Sequence, residues 1–362
     1  MKAVFHIGTT KTGTTSLQRF LDVNRERLIA QGFLYTPYMK AGRFGPEQPE
    51  YMRYVFSKRR RLMDNPVMAQ RQGFRTLEEL DRMVEGFDEW LAGQAATEGC
   101  HSFVVSSELI WADMRGKPAM RALHQLAMRH FDDVRYVIYI RRQDKWLASA
   151  YSETLRNTMS LGLDTFLARR QPPDYHGYIR RLADVVGEER ITVRLFERGV
   201  MKGDDAVEDF CAVAGIDAAG LERPARVNEG LTRRAAGVLR RLNALAAAVA
   251  KPGSGRHARL TRAARRLALS SAVNTGPGLA LTPAQRDRVL AECAQSNERL
   301  RQWLFPERRA LFDMSDIDRE SGAAPAAFQT PPEGAEGGRK APPTAAGRTG
   351  NSIQNRKMTW QC

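Results

Sequence analysis

The chain has 362 residues, 43% of them hydrophobic, enough for a globular core in one large domain or two ordinary ones. Lys and Arg number 56 against 41 Asp and Glu, and the resulting formal charge of +15 favours anionic ligands (nucleotides, acidic glycans, nucleic acid, a membrane surface) without choosing among them. Four widely spaced cysteines, Cys100, Cys211, Cys293 and Cys362, form no CxxC pair, which argues against a disulfide framework or a cysteine zinc site.

No stretch reaches the ~20 apolar residues of a membrane span, and the opening MKAVFHIGTTKTG is too short in apolar residues for a signal peptide. A cytoplasmic location is expected. Ala3 to Ile7 is a short apolar run ending at Gly8, and from Ser16 the spacing of Leu17, Phe20, Leu21 and Leu28 is helical, so the chain opens strand, loop, helix. Similar runs at Phe33 to Tyr35, Phe103 to Val105, Val134 to Ile140 and Ile191 to Phe196 alternate with helical segments. That alternation predicts an α/β fold: a central parallel sheet with helices on both faces, a three-layer sandwich.

Tyr38 to Arg82 is polar, Arg- and Met-rich and without a clear strand; it reads as a surface insertion, with an acceptor-side lid as the alternative. Leu231 to Ala272 holds no acid and predicts two basic helices joined by the turn Lys251-Pro-Gly-Ser-Gly. A further helix is expected from Thr282-Pro-Ala-Gln, with Thr as cap and Pro at the first helical position. Past about Met314 the composition turns to Pro, Gly, Ala, Ser and Thr, so residues 1–314 are read as the domain and 315–362 as a disordered tail.

The loop Gly8-Thr-Thr-Lys-Thr-Gly-Thr-Thr-Ser16 stands where a strand hands over to a helix, so backbone N–H groups and the helix dipole converge on an anion there. Gly8 and Gly13 fit the Walker spacing G-x-x-x-x-G-K-[ST], but Thr14 occupies the lysine position and the lysine has moved inside the loop, to Lys11. A lysine there sits over the group next to a 5′-phosphate, which suits a donor with one phosphate and one sulfate. His6-Ile-Gly-Thr-Thr-Lys-Thr-Gly-Thr-Thr-Ser-Leu-Gln18 resembles the phosphosulfate loop of the sulfotransferase family, usually P-K-[ST]-G-T-T. Thr10 replaces the proline common there, which bears on loop stiffness.

The resemblance implies a second signature, a strand ending in arginine with a serine eight residues on, and Val137-Ile-Tyr-Ile-Arg-Arg-Gln-Asp-Lys-Trp-Leu-Ala-Ser149 supplies it. It makes Arg141 and Ser149 the 3′-phosphate pair, since a guanidinium fork suits a phosphate. Arg142 competes, and the spacing favours Arg141. The implied co-substrate is 3′-phosphoadenosine 5′-phosphosulfate (PAPS), bound by Lys11, Thr12, Gly13, Thr14, Thr15, Ser16, Arg141 and Ser149, with no metal. Catalysis falls to Lys11 and to Glu108, the base expected at the end of Phe103-Val-Val, as carbohydrate sulfotransferases use a glutamate. A carbohydrate, glycolipid or other hydroxyl is the implied acceptor, and Arg226 or Arg233 is a further 3′-phosphate candidate. His6 reads as a packing residue, and His124, His130, His176 and His257 lack metal-ligand spacing.

Two other readings compete. A small-metabolite kinase would need a lysine after Gly13 and an acidic magnesium ligand, and Thr14 argues against it. A nucleic-acid or anionic-polymer binder built on residues 233–266 would lack aromatic side chains for base stacking.

Overall fold

The computed structural model describes residues 1–36, 76–224, 230–252 and 254–320. In chain order the first elements are β1 (Lys2–Gly8), α1 (Thr14–Val23), α2 (Arg25–Ala30), β2 (Phe33–Leu34), α3 (Leu77–Ala95) and β3 (Ser102–Ser106). Then come α4 (Glu108–Asp113), α5 (Lys117–Met128), β4 (Asp133–Ile140), α6 (Gln143–Arg156), α7 (Leu163–Arg169), α8 (Tyr175–Val186) and β5 (Ile191–Leu195). The last are α9 (Ala206–Ala214), α10 (Arg233–Val249), α11 (Gly255–Ala268), α12 (Pro283–Leu304) and α13 (Ser315–Glu320).

The described strands form one parallel sheet in the order β2-β3-β1-β4-β5, the α/β architecture expected from the alternating runs. Parallel strands buried on both faces need apolar residues at every position, and the period-2 alternation divides them between two cores. Phe5 and Ile7 of β1, Phe103 and Val105 of β3, and Tyr136 and Ile138 of β4 pack under α3, α5 and α8. Val4, Val104, Val137 and Tyr139 face the other way, against Leu17, Phe20 and Leu21 of α1 and Phe210 and Cys211 of α9. A third core joins α6 to the basic hairpin through Trp146, Tyr151, Leu155, Leu239, Ala264 and Ala268.

The hairpin forms as the sequence predicts, and α12 starts on a capping box: Thr282 Oγ1 accepts from the Gln285 backbone N–H at 3.3 Å while Gln285 Oε1 accepts from the Thr282 backbone N–H at 2.9 Å. Most of the polar stretch 38–82, residues 38–75, lies outside the described residues; its last part enters α3. Of the expected tail, 321–362 lies outside the described residues, and 315–320 is the helix α13. No described helix is long and apolar enough to cross a membrane.

Asp209 on α9 is a buried charge that holds the second core to the sheet. It accepts from the Tyr139 hydroxyl at 2.7 Å, the Arg194 Nε at 2.9 Å and the Lys202 backbone N–H at 2.9 Å. Burial alone would raise its pKa, but these donors and the Arg194 charge outweigh burial and hold it below the ordinary 3.8. A carboxyl depressed in the folded state stabilises fully above its unfolded pKa, and the contribution is lost as pH falls through the folded value. Asp209→Ala is therefore expected to lower unfolding free energy by about 3 kcal/mol at neutral pH. The gap between variant and wild type should close as urea titrations are repeated at pH values descending below about 4, the ordinary carboxylate range.

Candidate functional site

Between β1 and β4 the order of the sheet reverses: β1 sends its chain toward β2, while β4 sends its chain toward β5. A crevice opens at the carboxyl ends of such a strand pair. Register fixes which residues meet there, because Gly8 pairs with Tyr139, so the loop after β1 and the segment Arg141-Arg142 leave the sheet side by side.

The loop is built by its own hydroxyls and by unusual backbone. Thr9 Oγ1 donates to the Tyr139 carbonyl at 2.7 Å, and Thr12 Oγ1 donates to the Thr9 carbonyl at 2.6 Å. Lys11 has φ 76°, a left-handed conformation costing a non-glycine residue on the order of 1 kcal/mol or more. Gly13, at φ 80°, caps α1, and a side chain there would also press on Ala206 and Phe196. A Cβ on Gly8 would collide with Thr14 Oγ1, so the Thr14 side chain occupies the space that a residue other than glycine would need at the strand end. Thr14 Oγ1 is itself buried without a hydrogen-bond partner, which marks a donor left over at the base of the loop.

The two neighbouring arginines differ in environment. Arg142 is buried and held by Asp144 at 2.8 and 2.9 Å, by Asp316 at 2.5 and 2.7 Å and by the Asp313 carbonyl at 2.7 Å. Burial opposes its charge, yet both carboxylates raise its pKa above the ordinary value. Arg141 makes no ion pair among the described residues; its Nη1 donates to the Lys11 carbonyl at 3.0 Å and its guanidinium lies 5.4 Å from the centroid of the Phe196 ring. Burial moves the Arg141 pKa down, against the milder pull of Tyr175 and Asp144. A desolvated cation on a loop carbonyl favours an incoming anion.

Gly13, Thr15, Ser16, Arg19, Arg141 and Phe196 line part of a cleft of about 1040 Å³. Lys11, Thr12, Thr14, Ser149 and Glu108 are not in its lining. Thr12 and Thr14 are buried beneath the loop. The Lys11 side chain runs instead to α6, where Nζ stands 2.7 Å from Glu153 Oε2. Ser149 lies one helical turn before Glu153, partly buried. Glu108 opens α4 at the end of β3, the strand beside β1. Arg233 is the exposed first residue of α10, and Arg226 lies outside the described residues.

Sequence reasoning missed Arg19 and Arg223, which add cations to the cleft, and Glu153. Arg19 carried a legible signal: it lies on α1 one turn after Thr15. Glu153 carried none, being a solvated glutamate on a helix until the fold brings Lys11 to it. His6 is buried, with Nδ1 2.8 Å from Ser106 Oγ and its pKa lowered to about 3 by burial, as befits a packing residue. Among the described residues no group of three or more His, Cys, Asp or Glu gathers where a metal could sit.

No family model matches this chain. An uncharacterized protein of Archaeoglobus fulgidus is 28% identical over 122 residues, 33% of this chain and 33% of that protein, so the match spans about a third of the relative's length. A crystal structure of a sulfotransferase from Alicyclobacillus acidocaldarius is similar at 16% identity and a TM-score of 0.40, covering 83% of this chain and 94% of that one.

The unpartnered hydroxyl gives a test of the loop in the absence of any ligand. Burying a polar group without a partner costs about 1–3 kcal/mol. Thr14→Val, which keeps the branched shape, is expected to raise the unfolding free energy of the free protein by about 1 kcal/mol while weakening binding of a phosphate-bearing ligand. Urea denaturation and ligand titration of the same variant check both signs, and a loss of stability would mean that Thr14 Oγ1 is bonded.

Proposed function

We propose that this chain is a sulfotransferase that moves a sulfuryl group from PAPS to the hydroxyl of a carbohydrate or glycolipid acceptor. The observation that carries the reading is Lys11 inside a strand-to-helix loop, in a strained left-handed conformation, beside an arginine without an acidic partner among the described residues. Strain of this kind at a loop centre persists where the surroundings demand it, and it clusters at ligand sites.

The residues present fit such a donor. The backbone N–H groups of Gly13 to Ser16, the leftover Thr14 hydroxyl and the positive end of α1 suit the 5′-phosphosulfate. Arg141 suits the 3′-phosphate, with Ser149 on the next helix as its partner in the motif and Arg19 as a further cation. PAPS, when bound, supplies the activated sulfuryl group. Lys11 leaves Glu153 and neutralises the charge that develops on the departing phosphate oxygen. Glu108 accepts the proton of the acceptor hydroxyl as that oxygen bonds to sulfur. The choice of a sugar hydroxyl rests on the glutamate in this role. The domain responsible is proposed as residues 1–314, with Asp316 of the helix that follows tied to it through Arg142.

Adenosine 3′,5′-bisphosphate should bind much more tightly than ATP, and binding should survive EDTA because the loop donors and Lys11 replace magnesium. Lys11→Ala should lower turnover about 10²–10³-fold, the usual loss of one transition-state charge stabiliser. Glu108→Gln should lower it about 10²-fold with donor affinity kept, and Arg141→Ala should chiefly weaken donor binding. Isothermal titration and transfer from radiolabelled donor read these apart. Tighter, magnesium-dependent binding of ATP, or indifference to the 3′-phosphate, would sink the sulfotransferase reading in favour of a kinase.

A further inference from the structure

The hairpin of α10 and α11 joins the third core by its inward side, and its outward side is chemically unusual. On α11, His257, Thr261, Ala264 and Ala268 point inward and are buried. Arg259, Arg262 and Arg266, spaced i, i+3, i+7, occupy the opposite face and are exposed. Leu260 and Leu267, 36% and 50% exposed, lie on the flank between these faces. On α10 the half-buried stripe Val238, Leu242 continues outward as Leu245 and Val249, 59% and 47% exposed, with exposed Arg241 one turn before Leu245.

Single exposed leucines are ordinary on a soluble surface. Here four large apolar side chains left in water fall on one hairpin, beside exposed arginines and Lys251, in a stretch from 231 to 272 that contains no Asp or Glu. The charge is thus uncompensated within its own segment, and the apolar groups sit among the cations rather than in a separate patch. A phosphodiester backbone would use the arginines but gain nothing from the leucines, and the segment offers no aromatic ring for stacking bases. A membrane uses both: arginines meet anionic headgroups while short apolar side chains enter the acyl boundary.

We infer that the outward side of α10 and α11 is a docking surface for an anionic lipid membrane. Charge complementarity selects the occupant, and the exposed leucines separate a lipid surface from other polyanions. The association is peripheral and reversible, because each helix keeps its inward face on the protein and only scattered apolar residues reach the bilayer. It is independent of the activity proposed above, since none of these side chains lines the cleft.

The test uses the full chain and sedimentation with vesicles of phosphatidylcholine alone or with a quarter phosphatidylglycerol. Wild type should sediment with the anionic vesicles only, and less as salt is raised. Arg262→Gln with Arg266→Gln should weaken binding about 25-fold, at roughly fivefold per basic side chain near an anionic surface. Leu260→Ser with Leu267→Ser should weaken it about tenfold with the charge untouched. Leu245→Ser with Val249→Ser repeats that arm on the other helix, and circular dichroism checks that each variant is folded. The two serine pairs lie on different helices, so the apolar arm can be read from one if the other fails to fold. Failure of wild type to distinguish the two vesicle types overturns the proposal. So does unchanged vesicle binding by the serine variants together with tight binding of double-stranded DNA, which would assign the surface to a polyanion. A dimer by light scattering that ignores vesicles would assign the apolar side chains to a second copy of the chain, and likewise overturns it.

Discussion

Everything at the proposed site depends on the hydrogen-bonded ladder between β1 and β4. These strands are parallel, central and buried on both faces, and their register runs without a break from Lys2 opposite Asp133 to Gly8 opposite Tyr139. A one-residue slip of β1 would turn Phe5 and Ile7 away from the core they share with Tyr136 and Ile138 and into the other, so the register is fixed by the packing of both layers. With it fixed, the loop after β1 and the first residues after β4 emerge together. The bond from Arg141 to the Lys11 carbonyl and that from Thr9 to the Tyr139 carbonyl are consequences. The sheet thus positions two loops that are 130 residues apart in the chain.

Adjacent residues at the end of a strand point in different directions, and at Arg141 and Arg142 this sorts two like cations into different roles. Arg142 borders the same cleft but takes two carboxylates and a carbonyl, so its charge is spent on tying α6 to the segment around Asp316. The Arg141 guanidinium, in that cleft too, meets only a carbonyl and a ring face. A buried pair stripped of one partner leaves a strongly unfavourable charge, whereas a cation already without a counter-ion gains when an anion arrives. The eight-residue spacing to Ser149 favoured Arg141 in the sequence, but that an acid 174 residues away returns to Arg142 is something no local pattern encodes.

Where a signal is local, the sequence was legible. The strands, the strand-loop-helix opening, the hairpin and the capped start of α12 follow from period, composition and turn residues; the strands form within a residue or two of their expected bounds, whereas the opening helical pattern breaks at Asn24 and the hairpin's second helix stops at Ala268, short of Ala272. The loop was legible because glycines and hydroxyls at that spacing have a physical purpose. Glu153 and Arg223 were not: a charged residue on a helix, such as Glu153, carries the same local pattern whether it faces solvent or a partner, and Arg223 stands in no helix or strand. Glu108 shows the converse: the strand end was read correctly, and the helix it opens gives an acid in the first turn a dipole-stabilising role as well.

On the proposed function, the pairing of Lys11 with Glu153 would let a lysine be both held and available. Its partner is about half exposed, and ion pairs of that kind are worth only about 0–1 kcal/mol. Transferring the ammonium to a doubly charged group at the helix start would exchange one weak, screened contact for a stronger one among several backbone donors. The left-handed backbone at Lys11 holds the loop in shape whichever partner the side chain takes, since the bonds from Thr9 and Thr12 involve no lysine atom. In the reaction proposed above, strain in the backbone would preorganise the donors, and a weakly held side chain would leave the ammonium free to follow the developing charge.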